Sequence, residues 1–240
     1  MWQICKKEWN QFFSSLTGYI SVALFLVLNG LIFFVFPSTS LLDFGYATLQ
    51  SFFQTAPWVL LFLVPTITMR SFAEEFKTGT FELLKTMPLT SSQLVWGKFC
   101  GAMMVVALAI LPTVIYAFSL QSLSAAGGID VGATAGSYIG LLMLGAVFTA
   151  AGICASSFTN NTVVAFITGA FVCLILYAGF DAIASLPVFK SGFDYYLQMP
   201  GINFHYNNIS RGVVDIRDLI YFIGLIFVFI FITQRNIEKR

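Results

Sequence analysis

The stretch "AEEFKTGTFELLKTMPLTSSQLVWGK", residues Ala73–Lys98, carries six charges: Glu74, Glu75, Lys77, Glu82, Lys85 and Lys98. The runs on either side, Phe44–Met69 and Phe99–Ile129, carry none. A span of a bilayer needs about 20 mostly apolar residues. Each flanking run is long enough for one, so the charged stretch reads as a polar excursion between two membrane spans.

Composition points the same way. Of 240 residues, 58% are hydrophobic and 10% charged, and the mean hydropathy is +0.86. Soluble domains carry about 25% charged residues. Lipid must therefore be part of this chain's solvent. The net charge of +1 provides no basic field to attract nucleic acid. Cys5, Cys100, Cys154 and Cys173 are scattered, without a CxxC pair. The expectation is buried thiols acting as small hydrophobes, with no metal site.

Charge-free runs map the spans. They are Trp9–Leu42, Phe44–Met69, Phe99–Ile129, Val131–Phe180 and Leu219–Gln234. The fourth has 50 residues, room for two spans, and is broken by the polar turn "SSFTNN", Ser156–Asn161. The expected spans are about 18–36, 50–69, 99–120, 135–155, 163–180 and 218–233. Their continuous apolarity excludes a barrel, which would alternate with a period of two. The fold class is an all-α membrane protein with six transmembrane helices. With the N-terminus inside, Lys6, Lys7, Arg70, Lys77, Lys85, Lys98, Arg235, Lys239 and Arg240 fall on one side, and only Lys190, Arg211 and Arg217 on the other. The positive-inside rule then gives N-in and C-in and makes residues 70–98 cytoplasmic.

The lead segment, residues 1–17, repeats Trp2, Cys5, Trp9, Phe12, Phe13 and Leu16 at helical spacing, with Lys6, Lys7, Asn10 and Gln11 between them. Such a pattern predicts an amphipathic helix in the headgroup plane that turns up near Thr17-Gly18; the other reading is an extension of the first span. It lacks the cleavage-site pattern of a signal peptide. The remainder, 18–240, forms the transmembrane domain, with an extracytoplasmic loop at 181–217.

The spans hold almost no ionisable groups, so there is no sign of a proton relay or ion-coupled carrier. Asn29 is expected to form an interhelical hydrogen bond. Gly132, Gly136 and Gly140 form a four-residue ladder that allows close helix packing, within the chain or across a dimer. "SQLVWGK" ends in Gly-Lys but lacks the rest of a phosphate loop, so ATP chemistry would belong to another chain. No nucleophile–base pair is evident, and no catalytic residue is assigned. The lone His205 is expected to be hydrogen-bonded and structural.

Within the excursion, Phe72, Phe76, Leu83, Leu84 and Met87 recur at steps suited to a helix face, interrupted by Thr78-Gly79-Thr80. Pro88 ends that unit. Thr90 with Gln93 reads as a capping box that starts the next helix. A capped, faced element held between spans suits docking, with charges fixing register; a helix merely packed on the membrane face is the other reading.

The excursion resembles the signature region of ABC-2-type transporter permeases. The matching places are Glu74 and Glu75, Gly79 and Thr80, Glu82 to Leu84, Pro88 to Thr90, and Gly97 and Lys98. "SSFTNN" and the amphipathic lead are similar to that family's turn and connecting helix. The resemblance implies a six-helix permease subunit paired with itself or with a second permease. It also implies a cytoplasmic ATPase in two copies, which binds the ATP and magnesium; this chain would bind no cofactor. The excursion would be the coupling helix, with Glu74, Glu75, Thr78, Gly79, Thr80, Phe81 and Glu82 as the ATPase contact region. Gly79 would permit close approach or a kink.

A narrower resemblance lies in "GINFHYNNISRGVVDIRDLIYF", Gly201–Phe222, which is similar to the segment before the last span in gliding-motility-associated ABC permease subunits of Bacteroidetes. It implies a bacterial inner-membrane complex whose second permease carries a large periplasmic domain. Candidate outer-loop residues are His205, Arg211, Asp215, Arg217 and Asp218. The last three are placed to pair at the mouth of the sixth span, or Arg217 to meet lipid phosphate. Two other functions stay open: an ABC-2 exporter of a lipid, drug or polysaccharide, and a non-transporting membrane adaptor.

Overall fold

In a computed structural model the described residues are 2–34, 49–124, 128–186, 194–212 and 215–240. The end of the first expected span and parts of the outer loop, including Lys190, lie outside them. Among the described residues the regular structure is all helical. Five helical units are long and apolar enough to cross a membrane: Gln50–Thr78, Ser91–Ser122, Val131–Ser157, Thr162–Ala184 and Ile216–Lys239. A sixth is added if Trp2–Ser14 and Gly18–Phe34, which meet at a bend of 75°, are taken as one span.

Helix α1 (Trp2–Ser14) buries Ile4 and Cys5, and α2 (Leu16–Phe34) follows the bend. Trp2 faces outward, so the inward stripe of α1 is narrower than the sequence repeat implies, and Leu16, also exposed, belongs to α2. Helix α3 (Gln50–Thr68) accommodates Pro57 and Pro65 in its interior. It runs on through a turn into α4 (Ala73–Thr78), and α5 (Thr80–Thr86) completes the excursion. Helix α6 (Ser91–Ile110) begins at the Thr90 capping box, in which both the Gln93 amide-to-Thr90 bond and the reciprocal side-chain bond are made. Pro112 sits in a tight 3-10 turn, Leu111–Thr113, before α7 (Val114–Leu123).

Helix α8 (Val131–Ser157) is the centre of the bundle and touches α3, α6 and three of the helices that follow it. Its small residues explain this position: with no bulk at Gly136, Gly140, Gly145 or Gly152, neighbours approach the backbone. A Cβ added at Gly152 would lie 2.1 Å from the Thr68 hydroxyl of α3. Asp130 caps α8, and Asn161, at the end of the polar turn, caps α9 (Thr162–Leu174). A π-helical turn, Ile175–Gly179, leads to α10 (Phe180–Ala184). After α11 (Asp194–Gln198), the short α12 (Ile202–Ser210) tucks against α8 and α13 (Ile216–Lys239) closes the bundle.

Asn29 behaves differently from expectation. It is buried, but its amide donates to the Phe25 carbonyl of its own helix at 2.8 Å, not to a neighbouring helix.

Candidate functional site

Four segments far apart in sequence meet at one end of the bundle. Lys98, in the second turn of α6, is 1% exposed. Its ammonium lies 2.7 Å from Glu8 of α1 and 2.9 Å from Glu75 of α4. It also donates to the Ser71 carbonyl at 2.6 Å and sits 4.9 Å from the centre of the Phe72 ring. Glu75 in turn accepts from Lys7 at 3.0 Å. A buried ammonium is costly unless its donors are paired; here two carboxylates and a carbonyl pair it. The result joins α1, the excursion and α6 through one cation.

Neighbouring polar groups hold the excursion from the other side. The Ser156 hydroxyl accepts from the Phe72 and Ala73 amides, each at 3.0 Å, and donates to the Met69 carbonyl at 3.1 Å. It therefore supplies the acceptor that the buried amides at the start of α4, which have no helical partner, need. From the C-terminus, Asn236 bonds Ser157, and Arg240 bonds Asn160 while its guanidinium lies 4.2 Å from the Phe76 ring centre. The N-terminal helix, the excursion, the 156–161 turn and the C-terminus thus occupy the same end.

The expected contact residues divide by burial. Glu75 and Phe81 are interior, and Glu74 is half-buried. Phe81 closes a ring cluster with Phe72 and Phe76. Thr78, Gly79, Thr80 and Glu82 are exposed, as are Leu83 and Met87; Leu84 turns inward. Gly79 adopts φ +73° with no atom of the described chain near the position of an added Cβ, so within the chain it serves a left-handed break between α4 and α5. Cys5 lies inside this end, 3.6 Å from the Met104 sulfur. Burial first, and the Glu8 carboxylate second, push its thiol above the usual range.

At the opposite end, His205 and Asp218 form a second buried group. Nδ1 of His205 is 2.6 Å from Asp218 and Nε2 is 2.9 Å from the Met199 carbonyl. The ring stacks on Tyr221 at 3.9 Å between centroids. Asp218 thus pairs with His205, not with Arg217. Asp215 caps α13 by accepting from the Arg217 amide, and the side chains of Arg211 and Arg217 are exposed. Of the glycine ladder, Gly136 and Gly140 face α12: an added Cβ would lie 2.9 Å from the Ile209 carbonyl at Gly136 and 3.3 Å from Tyr206 at Gly140. Gly132 is exposed.

Sequence reading did not single out Glu8, Lys98 or Ser156 as a joined set. Their only signal is charge and hydroxyl at the margins of apolar runs, where an unpaired charge is not tolerated. Among the described residues no group of three His, Cys, Asp or Glu is placed to hold a metal ion.

An all-helical bundle with five to six membrane-spanning units, tied at one end around a charged excursion, defines a multi-pass membrane protein. A family model described as ABC-2 family transporter protein matches residues 2–232, and the chain belongs to that family. No curated protein matches it.

Proposed function

We propose that this chain is the permease subunit of an ATP-driven ABC-2 complex and that α4 and α5 are its coupling element. The observation that carries this reading is the Lys98 junction. It fixes the excursion to both α1 and α6, while Thr78–Thr80, Glu82, Leu83 and Met87 stay exposed on the other face. An element that is fixed inward and displayed outward passes a partner's displacement to the spans. The partner is a cytoplasmic ATPase, two copies per complex, which holds the ATP and magnesium. Its closure on ATP must favour one of two arrangements of the membrane subunits. The gathering of nine of the chain's twelve Lys and Arg on the excursion side supports an N-in, C-in orientation in a bacterial inner membrane.

Within this class, the Gly201–Phe222 resemblance favours the gliding-motility-associated complex, paired with a second permease that has a large periplasmic domain. The test is purification of tagged protein from its native membrane in mild detergent, with crosslinking through Glu82→Cys. Recovery of an ATPase crosslinked at that position, with a second and unlike permease, is the expected result. Recovery with no ATPase, crosslinked or free, would overturn the coupling reading. Recovery of an ATPase with this permease alone would overturn the gliding-type assembly and leave a homodimeric exporter.

A further inference from the structure

A cavity of about 250 Å³ lies in the angle where α1 bends away from α2, bounded also by the turn after α3, by α4 and by the middle of α6. Glu8, Gln11, Arg70, Ser71, Glu74 and Glu75 are among its walls. The junction of an amphipathic helix and a span lies at headgroup depth. Its charges are unevenly matched. Lys98 joins Glu8 and Glu75, and Lys7 joins Glu75. Among the described residues, Glu74 and Arg70 have no ion-pair partner and do not pair with each other. Glu74 and Arg70, one acid and one base without an ion-pair partner, therefore line a single space. Glu74 and Glu75 also each keep one buried carboxylate oxygen without a hydrogen-bond donor. The terminal torsion of Glu is soft, so a small rotation presents that oxygen to a donor in the cavity.

We propose that this cavity binds the zwitterionic headgroup of an amine-bearing phospholipid, its primary ammonium toward Glu74 and Glu75 and its phosphate toward Arg70. A metal ion would fit the carboxylates alone and leave Arg70 unmatched, and no metal-ligand group is present there. A primary ammonium supplies three N–H donors, which the acceptor-only carboxylates require. A quaternary ammonium supplies none. A guanidinium grips phosphate through paired donors. The bound lipid would wedge the bend and brace α1 against the Lys98 junction. The inference rests on the chain's position in a membrane and not on its partnership with an ATPase.

The test uses the full chain, stripped of lipid in detergent and placed in nanodiscs of phosphatidylglycerol doped with phosphatidylethanolamine or phosphatidylcholine. Native mass spectrometry reads the lipid retained after release. Wild type is expected to retain phosphatidylethanolamine at least ten-fold over phosphatidylcholine. Glu74→Gln is expected to erase that preference, and Arg70→Gln to weaken retention of both zwitterionic lipids, with Arg70→Lys retaining part of it. Soluble phosphoethanolamine is expected to compete only at millimolar concentration. Equal retention of the two lipids by wild type would overturn the proposal, as would an unchanged preference in Glu74→Gln. Tight binding of soluble phosphoethanolamine without lipid retention would overturn the lipid source. If the Arg70 variants fail to fold, the wild-type competition between lipids still decides.

Discussion

Both ends of the bundle bury a pair of polar side chains, but the two pairs connect different things. At the excursion end, Lys98 reaches Glu8 across 90 residues of sequence and Glu75 on the excursion, drawing three elements together. At the other end, His205 and Asp218 are 13 residues apart and clamp α12 to the start of α13. The first is a tie between a peripheral helix, a displayed segment and a span. The second is a local fastening of a loop. If force enters through α4 and α5, only the first pair lies in its path. Variants of the two pairs should therefore differ in kind as well as in size.

The largest expected effect is at Lys98. Lys98→Met leaves the half-buried Glu8 and the buried Glu75, the latter still held by Lys7, around an apolar side chain, and removal of one partner from a buried ion pair costs about 3–5 kcal/mol. Titration of the purified protein with a denaturing detergent should show a large fall in midpoint. In an assembled complex, stimulation of ATP hydrolysis by the permease should fall as well. Asp218→Ala breaks the opposite clamp. It strands the His205 ring between Met199 and nothing, at a cost of about 1–3 kcal/mol for a buried group left unpaired, and the same titration should record it. Its effect on ATPase stimulation should be no more than its loss of folded protein explains. Equal uncoupling by Lys98→Met and Asp218→Ala would erase the distinction between tie and fastening.

A second pair of variants sharpens the comparison through packing. Each end has a glycine slot that receives a helix. At Gly101 an added Cβ would lie 2.8 Å from the Glu8 Cβ and 3.2 Å from the Cys5 carbonyl; at Gly136 it would lie 2.9 Å from the Ile209 carbonyl. The 2.8 Å and 2.9 Å approaches are too short for real contacts, so Gly101→Val must lift α1 and Gly136→Val must displace α12. Overpacking of this kind costs about 1–3 kcal/mol. Limited trypsin digestion should cut faster at Lys6 and Lys7 in Gly101→Val and at Arg211 in Gly136→Val, each variant leaving the other site at the wild-type rate. Faster cutting at both sites in either variant would mean that the two ends are not independent.

The all-helical class and the membrane spans were legible because they rest on local pattern. Charge-free length fixes spans, and the Thr90–Gln93 box is a relation across three residues that needs no tertiary knowledge. What was hidden depends on distance in sequence. Nothing near Lys98 names Glu8 as its partner, and Glu75 reads as a surface acid until α1 is laid over it. Phe81, placed in the contact region by the family resemblance, closes an aromatic cluster with Phe72 and Phe76 that the sequence did not announce. His205 illustrates the intermediate case: a hydrogen-bonded role was readable, but Asp218 as its partner was not, because Arg217 is adjacent in sequence and appeared the natural mate. Helix geometry decides against it, since consecutive residues point in different directions.

The smallest expected effect on stability carries the sharpest test of the tie. Gly79 sits at φ +73° with open space where a side chain would go, so Gly79→Ala meets no clash and pays only the left-handed backbone cost of about 1 kcal/mol. Thr78 and Thr80 bond each other across this break at 3.0 Å, and Thr78 also bonds the Glu74 carbonyl. The alanine variant favours a continuous helix from α4 into α5, which would swing Glu82, Leu83 and Met87 away from their present direction while leaving the Lys98 junction intact. Its denaturation midpoint should stay close to wild type. The crosslink from Glu82→Cys to a partner should fall several-fold in the Gly79→Ala background. If that crosslink is unchanged, the direction set by the break is immaterial to docking, and the excursion acts through its anchored half alone.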